Sequence, residues 1–411
     1  MSRDVAEDGM EDERAAKKVR LMEDEPASKT VKMSEGTAAN DAVLICIVND
    51  ASNWSDLPSF HPAFTYHAFG KEEIIRGYRG LSIMLRFNAR TFDCLVEVNF
   101  DERDEGADDI IALMANSLPK GFTQDKDVFL RGLADVTSKP FGSLVNAYTK
   151  DDKEFATHYA VLYEDDAAAA YFDRMQKLSL WFIEGADDID VRDGRWSVYV
   201  LFDLSRGFLH PAGYITVFAF NAPVKQIMMQ SLRICQVLVL PPYQRQGHGE
   251  RLVEYIMHQA RSQPIVHEVT VEDPVPGFSM LRDLVDVKTC LSHGFFGLHP
   301  SETPASPGRG TQVLKPEDIE AVKKSLKLNK TQIHRCYEVL KLRHVDRANE
   351  PEYKAYRLEV KRRLHALHAE DLGATSSADR RKGLLAKLYE SLEADYDVIL
   401  ERCGLLPHPE S

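Results

Sequence analysis

The stretch from Leu232 to Arg251 constrains this 411-residue chain more than any other segment. A continuous apolar run, Ile234 to Leu240, leads into a turn containing Gly247 and Gly249, and the amphipathic pattern LVEYIMHQA follows. This order predicts a strand, a loop and a helix. Glycines let the main chain approach a ligand closely, and a helix start adds unpaired N–H groups and the positive end of a dipole. The segment therefore predicts a cradle for an anion such as a pyrophosphate.

Three classes of pyrophosphate-binding protein use such a cradle. A Walker loop is excluded because Lys and then Ser or Thr do not follow the glycines. A dinucleotide-binding fold has an acidic pair, Glu272-Asp273, at roughly the ~20-residue distance it requires. However, Leu252 occupies the third glycine position, and the motif follows apparent antiparallel strands at 195–204 and 212–221 instead of opening a βαβ repeat. A coenzyme A acyltransferase is the third class.

The loop and its neighbours resemble a known family. Gln244, Gly247 and Gly249 match the Gln/Arg-x-x-Gly-x-Gly/Ala loop of the GCN5-related N-acetyltransferases. Several separate motifs in the same order are similar to those of the type B histone acetyltransferase catalytic subunits. They are FG at 69–70, GYRG at 77–80, KPFG at 139–142, WFIE at 181–184, QGHG at 246–249, VEDP at 271–274 and LRD at 281–283.

This resemblance implies an α/β (α+β) chain with the GCN5-related N-acetyltransferase fold, an amino-terminal α/β domain and a carboxy-terminal helical domain. It implies an enzyme that transfers acetyl from acetyl-coenzyme A, without a metal, to lysines in the tail of free, newly synthesised histone four. It also implies a WD40 histone chaperone as partner. The alternatives are a non-enzymatic histone-binding scaffold that retains the fold, and an acetyltransferase for small amines, which would not need so long an amino-terminal domain.

Composition limits the partners and the location. The formal net charge of -13 argues against direct nucleic-acid binding and is compatible with a basic partner. No apolar run reaches the ~18 residues of a membrane span, and the amino terminus is charged. The 6 cysteines lack C-x-x-C spacing, so neither a zinc site nor a disulfide framework is indicated. We expect a protein of the nucleus and cytoplasm, since Lys17-Lys18-Val19-Arg20 resembles a basic import signal.

The composition also changes along the chain. Residues 1–40 contain few large apolar residues and are expected to form a disordered tail. Residues 41–150 alternate short β-like runs with polar turns, which predicts an α/β substrate-side domain. Residues 151–300 have the strand and helix order of the acetyltransferase domain. Residues 301–315 are interpreted as a linker, and residues 316–411 as a helical domain.

The reaction requires a general base, because a lysine side chain has a pKa near ~10.4 and only about one in 10³ is uncharged at neutral pH. Glu272 is the first candidate, since it ends an apolar strand beside the cofactor strand in the inferred fold, and Pro274 then breaks that strand. The resemblance implies the same role and adds Glu184 and Asp273 as auxiliary acids. The residues alone favour simpler interpretations, in which Glu272 is an edge-strand carboxylate and Glu184 ends a helix in solvent.

The resemblance also assigns the cofactor site. The acetyl thioester is expected along Val237, Leu238 and Val239, with the N–H of Leu238 stabilising the carbonyl oxygen. Cys235 has no glycine elbow or evident His partner, so it is interpreted as a buried thiol, and direct attack by lysine is expected. The backbone of His248 is expected to contribute rather than its ring. The pyrophosphate is assigned to Gln244, Arg245, Gln246, Gly247, His248, Gly249 and Glu250.

For the protein substrate, the resemblance indicates two surfaces. Aromatic faces suit the aliphatic stem and cationic head of lysine. The expected strand residues are Phe218, Ala219 and Phe220, and the expected amino-terminal contacts are Lys71, Glu72 and Glu73.

Overall fold

The computed structural model describes residues 36–52, 54, 57–134, 141–206, 210–297, 313–375 and 377–405. The possible import signal and all but the end of the expected tail lie outside these residues. The expected boundary of the tail at residue 40 is corrected, because Thr37–Ala38 pairs with Ile74–Ile75 and Ala39 is fully buried. Ordered structure therefore begins by residue 37.

The amino-terminal part is an α/β unit built on a three-stranded sheet. Strand β2 pairs in parallel with β5, and β5 pairs antiparallel with β6, while β1 pairs with β3 and β4 with β7. The elements are β1 Thr37–Ala38, α1 Ala39–Ala42, β2 Val43–Val48, α2 Tyr66–Phe69, β3 Ile74–Ile75, β4 Tyr78–Arg79, β5 Ser82–Asn88, β6 Cys94–Asn99, β7 Glu102–Arg103, α3 Ile110–Met114 and α4 Lys126–Ala134.

A six-stranded sheet in the order β13-β12-β11-β10-β9-β8 forms the centre of the molecule. Its neighbours pair antiparallel except β12 and β13, which run parallel because helix α7 returns the chain between them. The elements are β8 Ser143–Lys150, β9 Lys153–Val161, α5 Asp166–Met175, α6 Ser179–Phe182, β10 Trp196–Asp203, β11 His210–Val224, β12 Ile227–Val239, α7 His248–Ser262, β13 Val266–Val271 and α8 Pro276–Ser292.

The carboxy-terminal part is helical, as the sequence predicts. Helices α10 and α13 pack on α8, and the N–H of Val269 in the edge strand β13 donates to the carbonyl of Lys327 at 2.8 Å. One cluster of buried apolar side chains extends from Ala39 to Leu405, so these helices share the core of the central sheet. The helices are α9 Pro316–Leu326, α10 Lys330–Leu342, α11 Glu350–Leu367, α12 Ala369–Gly373 and α13 Ala378–Arg402.

Within the part of the chain that the structure describes, no helix combines the length and apolar character needed to cross a membrane.

Candidate active site

A cleft opens where the parallel strands β12 and β13 separate. Their pairing ends at Ile234 and Val271. Strand β12 carries an extra residue just beyond that point, and the N–H of Gln236 in this bulge donates to the Thr216 hydroxyl at 2.9 Å. The bulge turns β12 away from β13, so residues 235–239 border an opening between the two strands.

The ladder between β11 and β12 decides which main-chain groups face this cleft. The N–H of Leu240 donates to the carbonyl of Ala212 at 2.9 Å. Antiparallel ladder bonds recur at every second residue, so the main-chain groups of Leu238 also face β11. The expectation for the Leu238 N–H is therefore corrected. The N–H groups that point into the cleft belong to Val237 and Val239.

The loop that follows β12 ends in an exposed helix start. Gly247 has a φ of 83°, a left-handed conformation that favours glycine, and caps α7. The N–H of Arg251 makes the first helical bond, to the carbonyl of Gly247 at 3.1 Å. The N–H groups of residues 248–250 precede that bond and point out of the helix end. This arrangement has the geometry of an anion cradle.

Two glutamines hold the loop in shape. The amide nitrogen of Gln244 donates to the carbonyl of Val239 at 2.8 Å, and that of Gln246 donates to the carbonyl of Pro242 at 2.8 Å. Arg245 lies between them, exposed and at a φ of 60°. The glutamine side chains therefore stabilise the loop, while the Arg245 guanidinium adds positive charge beside the helix start.

The His248 ring is a buried anchor, a role that the sequence did not reveal. Its Nδ1 lies 2.7 Å from the Tyr148 hydroxyl, and its ring centroid is 4.4 Å from that of Phe155. Burial lowers the pKa of His248, and the charge of Lys150 lowers it further. Burial raises the pKa of Tyr148 to about 12. A neutral imidazole therefore fastens the start of α7 to the β8–β9 hairpin.

Glu250 connects the loop to two other helices. Its carboxylate accepts hydrogen bonds from Lys288 of α8 at 2.6 Å and from Arg402 of α13 at 3.1 Å. The Glu250 side chain is thus engaged in ion pairs. The main-chain N–H of Glu250 is the group that points out of the start of α7. The carboxy-terminal helices consequently contribute to positioning the cradle.

Glu272 follows β13 at the mouth of the cleft. Its N–H donates to the carbonyl of Ile234 at 2.9 Å, and its Oε1 lies 3.5 Å from Nη1 of Arg233. About half of its side chain, 48%, is exposed. Burial and then a hydrogen bond with Glu272 raise the pKa of the Cys235 thiol to about 12. Asp273 is exposed at a φ of 33°.

Glu184 lies in the loop after α6, and its side chain is exposed. The N–H of Gly185 donates to the Tyr66 hydroxyl at 2.8 Å, and the side chain of Gln236 donates to the carbonyl of Asp187 at 2.9 Å. The loop that carries Glu184 is thereby held against the bulge of β12. Cys235 directly precedes Gln236 and contacts Glu272. The Glu184 loop and the segment that carries Glu272 therefore border the same part of β12.

An aromatic row runs along the edge of this site. Trp196 packs on Phe218 with centroids 4.7 Å apart, and Phe218 packs on Phe220 at 4.9 Å. The guanidinium of Arg233 lies 4.4 Å from the Phe220 centroid and reaches Glu272 on its other side. The structure therefore places the predicted aromatic strand beside the candidate base. Trp196 of β10 pairs with Phe218 across the sheet and so extends the aromatic row.

The three predicted amino-terminal contact residues differ in their exposure and in their partners. Lys71 and Glu72 are exposed, whereas the carboxylate of Glu73 accepts a hydrogen bond from the N–H of Thr65 and fixes the turn. This turn follows α2, whose Tyr66 holds the Glu184 loop. Lys71 is thus available to a substrate beside that loop, whereas the Glu72 carboxylate is already paired with Arg76 at 2.5 Å.

Comparison with known proteins identifies the family. A model described as histone acetyl transferase HAT1 N-terminus matches residues 36–184, and one for the acetyltransferase (GNAT) family matches residues 154–276. The chain is 32% identical over 326 residues to the histone acetyltransferase type B catalytic subunit of Homo sapiens, covering 75% of each protein. It belongs to the type B histone acetyltransferase catalytic subunits. The predicted fold and enzyme class are confirmed.

Relatives of this histone acetyltransferase extend the likeness. The catalytic subunit from Mus musculus is 31% identical over 326 residues, covering 75% of this chain and 76% of the relative. The one from Kluyveromyces lactis is 29% identical over 391 residues, covering 90% and 92%. The carboxy-terminal helices therefore belong to the shared architecture.

The described residues of this histone acetyltransferase contain no cluster of His, Cys, Asp and Glu side chains able to hold a metal ion.

Proposed function

We propose that this enzyme transfers acetyl from acetyl-coenzyme A to lysine ε-amino groups in the tail of free, newly synthesised histone four. The observation that carries the proposal is the end of β12 that no longer pairs with β13 and leads directly to an exposed helix start. The amide groups of the pantetheine arm suit the open main-chain groups of Val237 and Val239, as an added strand would. The pyrophosphate suits the N–H groups of residues 248–250.

The proposed mechanism is direct attack within a ternary complex. Glu272 accepts one proton of the lysine ammonium, and the neutral nitrogen forms a bond to the acetyl carbon. The carbon–sulfur bond then breaks, and a second proton from that nitrogen passes to the leaving thiolate to give coenzyme A as a thiol. The N–H of Val237 or Val239 stabilises the charge that develops on the carbonyl oxygen. Cys235 has a pKa of about 12 and is protonated at neutral pH, which argues against a covalent acyl-enzyme.

The surroundings of Glu272 support a lysine side chain as acceptor. The aromatic row Trp196, Phe218 and Phe220 offers an apolar face for the aliphatic stem. Exposed carboxylates, including Glu184 and Asp273, suit a basic peptide on either side of the reacting lysine. We assign Glu184 and Asp273 as auxiliary acids on this basis.

The product of the reaction tests the proposal. The purified chain is incubated with acetyl-coenzyme A and an equimolar mixture of free histones, and acetylated positions are located by mass spectrometry. We expect lysines in the tail of histone four to be modified first, with much slower acetylation of a polyamine offered at the same concentration. Preferential acetylation of the polyamine would support the small-amine alternative instead.

The family resemblance further supports a WD40 histone chaperone as partner and the nucleus and cytoplasm as locations. Affinity purification of the tagged full-length chain from its own cells, followed by fractionation of nuclei, tests both points. We expect the chaperone to copurify in stoichiometric amounts and the chain to be present in both fractions.

Gly247 provides a prediction about the cofactor loop. A residue with a Cβ costs roughly 1–2 kcal/mol in the left-handed conformation that Gly247 adopts at φ 83°, although no neighbour lies within 4 Å to clash with that atom. Gly247→Ala is therefore expected to lower thermal stability and to weaken binding of acetyl-coenzyme A in calorimetric titration. Gly277→Ala is the control, since Gly277 lies in α8 without a positive φ. Equal thermal stability and equal affinity for acetyl-coenzyme A in the two variants would contradict the prediction.

A further inference from the structure

Arg233 occupies a position that the proposed reaction does not use. It lies on β12 opposite Phe218, with its guanidinium 4.4 Å from the Phe220 centroid and its Nη1 3.5 Å from Oε1 of Glu272. Its side chain is 40% exposed, so the head group borders the mouth of the cleft. A fixed cation thus stands between the aromatic row and the candidate base.

A substrate lysine that reaches Glu272 along the aromatic row must bring its nitrogen close to this guanidinium. Arginine stays protonated at any pH at which the enzyme works. A like charge nearby disfavours the ammonium form of lysine relative to the neutral amine. The neutral amine is the form that attacks the thioester, so a cation at this point favours the reactive state of the substrate.

We propose that Arg233 is a positioning residue that lowers the proton affinity of the bound substrate lysine beside Glu272. The proposal rests on the proposed function, in which Glu272 is the base. The proton leaves Nζ of the substrate and joins a carboxylate oxygen of Glu272, and Arg233 keeps its own protons throughout. The ring of Phe220 holds the guanidinium in place while this transfer occurs.

The other charged groups around this point do not replace Arg233. Cys235 on β12 is a protonated thiol at neutral pH, and Asp273 and Glu184 are exposed acids that would favour the ammonium form. Arg195 is stacked on Phe218 at 4.6 Å, but the carboxylate it contacts is Asp193 at 2.6 Å and not the candidate base. Among these groups, Arg233 is the cation that lies against Glu272.

This role predicts opposite effects of Arg233 on peptide binding and on the rate of acetyl transfer. Because Arg233 repels an ammonium group, it weakens binding of the protonated peptide at the same time as it speeds the reaction of the deprotonated one. Removing the charge should therefore slow acetyl transfer without raising the KM for the peptide. A residue that only supports the fold would give a lower rate together with a higher KM.

The test is the single-turnover rate of Arg233→Gln, measured at saturating histone-tail peptide and acetyl-coenzyme A as a function of pH. We expect the rising limb to move by roughly one unit to higher pH, so that the rate falls about tenfold near pH 7 and recovers in alkaline buffer. Arg233→Lys keeps the charge, so its rising limb should stay close to that of the parent enzyme. Arg195→Gln removes the matched guanidinium on the neighbouring ring and should leave the profile unchanged.

The following outcomes separate the possibilities. A pH shift in Arg233→Gln with KM unchanged or lower supports the inference. An equal loss at every pH, or a shift of the same size in Arg195→Gln, overturns it while leaving the proposed function intact. Full activity of Glu272→Gln in the same assay means that the proposed base is wrong, and the role of Arg233 fails with it. If Arg233→Gln does not fold, the profile of Arg233→Lys decides. A rising limb that moves by about one unit to higher pH although the charge is kept overturns the inference, and one that stays in place supports it.

Discussion

Glu272→Gln is expected to lower the rate of acetyl transfer by roughly 10²–10⁴-fold, the usual contribution of a general base. Glutamine keeps the size of the side chain and the main-chain bond to Ile234 at 2.9 Å, but it cannot accept a proton. The cradle lies at the helix start after β12, so binding of acetyl-coenzyme A should stay within a factor of about two of the parent by calorimetry. The rate is measured by single turnover with a histone-tail peptide.

Two neighbouring acids supply the controls. Asp273→Asn removes the adjacent carboxylate, and asparagine tolerates the φ of 33° better than most residues. Glu184→Gln removes the exposed acid on the loop that contacts the bulge of β12. Both are expected to lose much less activity than Glu272→Gln. A larger loss for Glu184→Gln than for Glu272→Gln would transfer the role of principal base to Glu184.

The glycine loop, the strand before it and the helix after it could be predicted from the sequence because they depend on local patterns. The apolar run at 234–240 and the paired glycines at 247 and 249 predict a strand, a turn and a helix start without reference to the rest of the chain. The bulge at Gln236 has no such signature. It changes which main-chain groups of β12 face β11, so that the N–H groups of Val237 and Val239, and not that of Leu238, point into the cleft.

Long-range partners account for the other differences. The sequence identifies His248 and Glu250 as loop residues, but their partners Tyr148 and Arg402 lie 100 and 152 residues away. Such contacts depend on tertiary packing, and periodicity carries no information about them. The same applies to the boundary before the carboxy-terminal helices. Their amphipathic pattern predicts helices but not the shared core with the central sheet.

Asp283→Ala is expected to lower the free energy of unfolding by about 3–5 kcal/mol, the usual effect of stranding one partner of a buried ion pair. Asp283 is almost fully buried in α8, and both of its oxygens accept hydrogen bonds from Nε of Arg335 at 3.0 Å. Gln332 donates a further bond at 2.8 Å. Burial lowers the pKa of Arg335, but its bonds to Asp283 outweigh that effect and raise it. Without the carboxylate, a guanidinium is left in the interface between α8 and α10. Calorimetry or urea unfolding measures the loss.

A double variant distinguishes a stranded charge from lost packing. Asp283→Leu combined with Arg335→Leu removes both charges and fills much of the same space, so it should recover most of the stability lost in Asp283→Ala. Asp379→Ala, which breaks an exposed ion pair with Lys382, should change the free energy of unfolding by less than about 1 kcal/mol. If the double variant is as unstable as the single one, the hydrogen bonds of Asp283 matter more than its charge. The polar contact would then be what specifies how α10 docks on the helix that follows Glu272.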